Sequence, residues 1–138
     1  MMSIDGNISS LVRNVSGRLL NRLVANISGI KAALISTVDG FEIAAECAES
    51  SDIAKLSAVS STLSAIGNMA MLETDMGTQY RSVTIENDNG FLVIMDIQYK
   101  SYPMIFCVVA SREAMLSRVI HQAKIIIDVI ANKLPKLE

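Results

Sequence analysis

The sequence predicts an α/β domain of the α+β type, with elements in the order α-β-β-α-β-β-β-α. Three observations lead there. An Asp39-Gly40 dipeptide joins two β-prone runs, and Asp-Gly between such runs is a strong hairpin signal because the tight turn needs positive φ. Two long segments, near the N-terminus and in the middle of the chain, repeat apolar residues at three- and four-residue steps, the period of an amphipathic helix. Late in the chain, the runs at 91–95 and 104–109 are apolar on both faces. Such strands belong in the middle of a sheet with helices on each side.

The first helix is predicted over residues 8–27. Ile8, Leu11, Val12, Val15, Leu19, Leu20, Leu23, Val24 and Ile27 form its apolar side, Arg13, Arg18, Asn21 and Arg22 its polar side, and Ser28-Gly29 stops it. The hairpin follows, with strands at 31–38 and 41–46. Ser51-Asp52 provides a cap for a long middle helix over 53–75, which Gly77 ends. Three strands come next, at 80–87, 91–98 and 104–110, turned by Asp88-Asn89-Gly90 and broken at Tyr102-Pro103. Residues 80–87 alternate, Val83 and Ile85 against Ser82, Thr84 and Glu86, and read as an edge strand whose unpaired backbone groups invite another chain. Ser111 is expected to cap a last helix over 113–133, with Pro135 after it.

Bulk composition narrows the function. The chain has 138 residues, 51% hydrophobic and 19% charged, enough apolar material for one folded domain spanning 1–138 and no room for a second. It has no Trp and few aromatics, and a net charge of −2 without a basic run. A nucleic-acid partner is therefore not expected, since binding to phosphates leaves a basic footprint. The N-terminus lacks the basic and apolar regions of a signal peptide. The most apolar tract, 115–134, is interrupted by Arg118, His121, Lys124 and Asp128, which argues against membrane insertion. The reading is a soluble cytoplasmic protein, with Cys47 and Cys107 as reduced thiols inside strands rather than a disulfide.

The middle helix has too many apolar faces for a surface helix of a monomer. Leu56, Val59, Leu63, Ile66 and Ala70 make one stripe, expected to face its own sheet. Ala58, Thr62, Ala65, Met69 and Leu72 make a second, roughly opposite, with Ser57, Ser61, Ser64 and Asn68 between them. Charge is confined to Lys55, Glu73 and Asp75. One explanation is complete burial within the monomer. The other, preferred because only three helices are predicted, is an oligomer interface formed by Ala58, Ser61, Thr62, Ala65, Met69 and Leu72 together with Ser82, Thr84 and Glu86 of the edge strand.

The run IKAALISTVDGFEIAA at 30–45, the small-residue middle helix, and DNGFLV at 88–93 followed by an apolar strand and a last helix resemble the Roadblock family (dynein light-chain type). No single motif is specific; the order of elements along nearly the whole chain carries the likeness. It implies a five-stranded antiparallel sheet sandwiched by helices. It also implies a homodimer in which central helices pair and edge strands join the two sheets. Finally it implies a non-enzymatic role in controlling or scaffolding a small Ras-like GTPase, as for the regulator of the bacterial gliding-motility GTPase, dynein light chains and lysosomal scaffold subunits.

Chemistry of the chain's own is not expected. The one histidine, His121, has no nucleophile and orienting acid in a readable arrangement. One His and two separated Cys make no zinc set, so neither metal nor cofactor is assigned. A phosphate-binding Gly-Lys-Ser/Thr loop is absent. Arg81, Arg112 and Arg118 are weighed as arginine fingers toward a partner's nucleotide, but solvated or ion-paired arginine is the plainer reading. Two alternatives to the GTPase module stand: a small-molecule sensor with a pocket between sheet and helix, lined by Met69, Met71 and Met76, and a purely structural subunit.

Overall fold

A computed structural model describes residues 10–47, 52–99 and 102–134. Residues 1–7, Ile8, Ser51 and Pro135, which carry expectations above, lie outside the described residues. In chain order the elements are α1 (Ser10–Asn26), β1 (Ile30–Thr37), β2 (Glu42–Cys47), α2 (Ile53–Glu73), β3 (Ser82–Asn87), β4 (Gly90–Tyr99), β5 (Tyr102–Ser111) and α3 (Leu116–Asp128). A π-helical turn, Val129–Lys133, prolongs α3. The predicted order is the observed one.

The five strands form one sheet in the order β2-β1-β5-β4-β3, and each neighbouring pair is antiparallel. The apolar runs of β4 and β5 lie inside the sheet, and the alternating β3 is an edge, as their patterns predict. The Asp39-Gly40 turn joins β1 to β2, with Gly40 at φ +94. Its amide donates to the Thr37 carbonyl at 3.0 Å, and the Thr37 amide donates to the Phe41 carbonyl at 2.9 Å.

Two details differ from expectation. Tyr102-Pro103 is not a break but the start of β5, with Tyr102 opposite Tyr99 and Pro103 opposite Gln98. Pro103 is tolerated because β1 pairs with β5 only as far as Met104, so the missing N–H faces no ladder. Ser111 ends β5 rather than capping the last helix. Its hydroxyl accepts from the Glu113 amide at 3.3 Å in an intervening turn. The helix then begins at Leu116, after Met115.

The sheet has a helix layer on each face. Ala33, Ile35, Val93, Met95, Phe106 and Val108 point to one side, where they pack against Val12, Leu20 and Leu23 of α1 and Val119, Ala123 and Ile126 of α3. Leu34, Ile94, Ile105 and Cys107 point to the other, where α2 lies alone, with Leu56 and Leu63 packed at its flanks. Burying each large aliphatic side chain stabilises the fold by about 1.5–3 kcal/mol, so the two-helix side holds most of the core. One helix cannot cover five strands, which leaves the α2 face incomplete.

Candidate functional site

The N-terminus of α2 is set by Asp52, whose carboxylate accepts from the Lys55 amide at 3.0 Å. This satisfies one of the amides that the first turn of a helix leaves without a partner. From there the side chains that meet the sheet are small. Ser57, Ser60, Ser64 and Gly67 are buried at three- and four-residue spacing. Ser60 Oγ donates to the Leu56 carbonyl at 2.9 Å. Ser61 Oγ donates to the Val38 carbonyl at 2.6 Å, tying the helix to the end of the first hairpin.

The close approach is greatest at Gly67. A Cβ there would stand 3.0 Å from the Tyr80 ring and 3.1 Å from the Val83 methyl. The Tyr80 amide donates to Asn68 Oδ1 at 3.0 Å, which fixes the segment leading into β3 against the helix. Burial raises the Tyr80 phenol above its ordinary pKa, while the Ser64 hydroxyl beside it pulls the other way. Burial pushes the Cys107 thiol up to about 11, with the Ser60 hydroxyl again opposing.

This arrangement corrects the expected orientation of α2. Val59, Ile66 and Ala70, read as facing the sheet, are exposed. Ser57 and Ser64, read as lying between two apolar stripes, are at the helix–sheet contact. Leu56 and Leu63 flank that contact half-buried. The available signal was side-chain size rather than hydropathy. The sheet here presents Leu34, Ile94 and Ile105, with Tyr80 just before β3 beside them, and a helix settles close to such bulky groups only through small residues.

The outward face of α2 holds Ala58, Thr62, Ala65, Met69 and Leu72, all exposed. Thr62 turns its hydroxyl back onto the Ala58 carbonyl at 3.0 Å, leaving its methyl outward. Val59 and Ile66 join this face. Ile66, Met69 and Leu72 are 55%, 62% and 59% exposed, and Ile85 on β3 is 51% exposed. Val83 packs under α2, so Ile85, two residues on, shares its face of the sheet and extends the apolar patch from helix to strand. Ser82, Thr84 and Glu86 are exposed on the opposite face of β3. Ser61 is half-buried, its hydroxyl already engaged, and stands apart from the outward face. Across the 21 residues of α2 the only charges are Lys55 and Glu73. The exposed apolar residues of α2 and β3 thus form one continuous patch rather than scattered single side chains.

The other candidate residues are dispersed. His121 is exposed on α3. Arg112 donates to the Asn87 carbonyl at 3.4 Å and Arg118 to the Asn26 carbonyl at 3.1 Å, while Arg81 is exposed just before β3. The three do not converge. Cys47 is half-buried and Cys107 buried, and both are free thiols. Among the described residues, no group of three or more His, Cys, Asp or Glu comes together to hold a metal ion, and no helix is long and apolar enough to cross a membrane. Of the methionines expected to line a pocket, Met71 alone borders a hollow, beside Tyr80, Asp96 and Ile127. Met69 and Met76 are on the surface, and Met71 alone packs toward the sheet. An apolar hollow of about 320 Å³ opens elsewhere, where Leu56 and Val59 at the start of α2 overhang Ala32, Leu92 and Val109 of the sheet.

Comparison with known proteins places this architecture. Residues 17–110 match the family described as the Roadblock/LC7 domain. The Roadblock/LC7 domain from Streptomyces avermitilis superposes with a TM-score of 0.73 at 20% identity, over 83% of this chain and 92% of that one. The gliding protein MglB from Thermus thermophilus superposes at 0.78 with 13% identity, over 92% and 96%. Myxococcus xanthus MglB superposes at 0.78 with 12% identity, over 95% and 98%. No curated protein matches the chain in sequence.

Proposed function

Because the chain belongs to the Roadblock/LC7 domain family, we propose that it is a non-catalytic regulatory and scaffold module, working in the cytoplasm as a homodimer that binds a small Ras-like GTPase. The observation that carries this reading is the apolar outward face of α2 running onto Ile85 of the edge strand β3. A second copy supplies the complementary surface, because a two-fold interface is made by one patch meeting itself. Helix pairing through Ala58, Thr62, Ala65, Met69 and Leu72 brings two β3 edges together, with Ser82, Thr84 and Glu86 beside the seam. Unpaired backbone groups of an edge strand are satisfied by such a junction.

The GTPase is the partner because family membership and similarity in fold to the MglB gliding proteins support a regulatory role. The chain's part is to hold and orient the GTPase or to alter its nucleotide cycle through contact, without covalent chemistry of its own. The test is a pull-down from the native source, combined with nucleotide turnover by a recovered or genomically neighbouring GTPase. A GTPase that binds and changes its turnover or location on addition of the protein supports the reading. Absence of any GTPase among the partners, with turnover unchanged, overturns it.

The apolar hollow beside Leu56, Val59 and Leu92 favours a second reading, a small-molecule sensor. Native mass spectrometry of the purified protein distinguishes it by a co-purifying small molecule of defined mass.

A further inference from the structure

The helix layer opposite α2 differs from it in charge. Helix α1 carries Arg13, Arg18 and Arg22 with no carboxylate along its length. Helix α3 carries Arg118 and Lys124, with Asp128 only at its end. Between the two helices lies a groove of about 330 Å³. Its apolar lining is Leu23, Ile27 and Ile126, all buried, with Leu19 half-buried and Ile125 47% exposed. Its charged lining is Arg22 and Arg118, and no carboxylate lines it.

Arg118 is held in place. One of its guanidinium nitrogens donates to the Asn26 carbonyl at 3.1 Å, at the C-terminal end of α1. A cation there complements the negative end of the helix dipole, and the remaining guanidinium N–H groups are left for an acceptor. An immobilised arginine loses less entropy on meeting a carboxylate than a mobile one.

We propose that this groove is a second docking surface, which takes an acidic amphipathic segment of another protein. An aliphatic or aromatic side chain enters between Leu19, Leu23 and Ile125, and carboxylates one helical turn away pair with Arg22 and Arg118. The choice of an acidic partner rests on charge complementarity: the anchored Arg118 and the exposed Arg22 stand beside an apolar floor, with no anion to satisfy them from within the groove. The surface lies on the face of the sheet away from α2, so it stays open when α2 is covered. It does not depend on the identity of the partner on the α2 side.

The test uses the full chain, isotopically labelled, and a synthetic helical peptide with leucines at i and i+4 flanked by glutamates. A counterpart with every glutamate replaced by lysine serves as the control. The expected result is saturable shifts in the amide signals of Leu19, Leu23, Ile125 and Ile126 with the acidic peptide and none with the basic one. Arg22→Glu should weaken binding about tenfold, since a reversed rim charge turns attraction into repulsion. Arg22 is exposed, so this variant leaves the fold intact, whereas Arg118 also closes the end of α1. Ile125→Asp, likewise at an exposed position, should remove the apolar contact and the shifts. Absence of shifts with the acidic peptide overturns the proposal. So does equal binding of the basic peptide, binding confined to α2, or a groove that responds only to phosphatidylserine vesicles or to rising protein concentration.

Discussion

Gly67 lies against the ring of Tyr80 so closely that a Cβ at position 67 would stand 3.0 Å from two of the ring carbons. The ring is not free to retreat, because the Tyr80 amide is bonded to Asn68 and the side chain is buried in the α2–sheet layer. In Gly67→Ala, alanine's better helix propensity, worth about 1 kcal/mol, opposes an overpacking cost of about 1–3 kcal/mol. The expected net result is destabilisation by about 1 kcal/mol, read as a lower urea midpoint with an unchanged m-value. A rise in the midpoint would mean that α2 can lift off the sheet without loss.

Asp52 is the residue that starts α2, through its carboxylate on the Lys55 amide. Asp52→Ala should lower stability by about 1 kcal/mol, the usual cost of losing an N-cap. Asp52→Asn, which keeps an acceptor oxygen, should recover most of the loss. Equal losses in the two variants, measured by chemical denaturation, would place the contribution in charge rather than in the cap.

Ala65 faces outward from the centre of α2. Ala65→Glu should leave the monomer's stability within about 0.5 kcal/mol of the parent, because the site is exposed in the single chain. In a helix-paired dimer it buries a charge without a partner, and the dimer should weaken by about 3 kcal/mol, roughly a hundredfold in Kd. Light scattering over a dilution series reads the difference. A variant that still elutes as a dimer at low micromolar concentration would place the interface elsewhere.

Burial raises the Cys107 thiol from 9.0 to about 11. The folded chain thus holds this proton more tightly than the unfolded chain does. The associated stability is fully present below pH 9 and is lost as pH rises toward 11. Tyr80, also raised by burial, adds to the loss in the same direction above pH 10. Stability should therefore fall from about pH 9 upward, and Cys107→Ala should flatten the first part of that fall. In the native protein at pH 8, iodoacetamide should modify the half-buried Cys47 and spare Cys107 until the protein unfolds. Mass spectrometry of the alkylated protein checks the order.

Much of the architecture is legible in local chemistry. The Asp39-Gly40 turn, the alternation of Val83 and Ile85 with Ser82, Thr84 and Glu86, and the two-faced apolar runs of β4 and β5 each follow from geometry within a few residues. Their positions in the sheet follow in turn, because alternation marks an edge and apolar faces on both sides mark the interior. The outward stripe Ala58, Thr62, Ala65, Met69 and Leu72 was legible for the same reason, as a second apolar side on a helix that needs only one.

Only the tertiary structure decided which side of α2 meets the sheet. Hydropathy assigns Val59 and Ile66 inward and Ser57 and Ser64 to the flank, yet the serines and Gly67 are buried and the large residues face out. The reason is distance: the contact with Tyr80 and Val83 is close enough that side-chain volume outweighs apolar character, and no window of sequence states how near two elements will come. The α1–α3 groove is decided in the same way. Arg22 and Arg118 stand far apart in the chain and face one hollow only because both helices cross the same side of the sheet. The order of elements is thus a local property of the sequence, while the faces they offer to partners depend on how closely the layers pack.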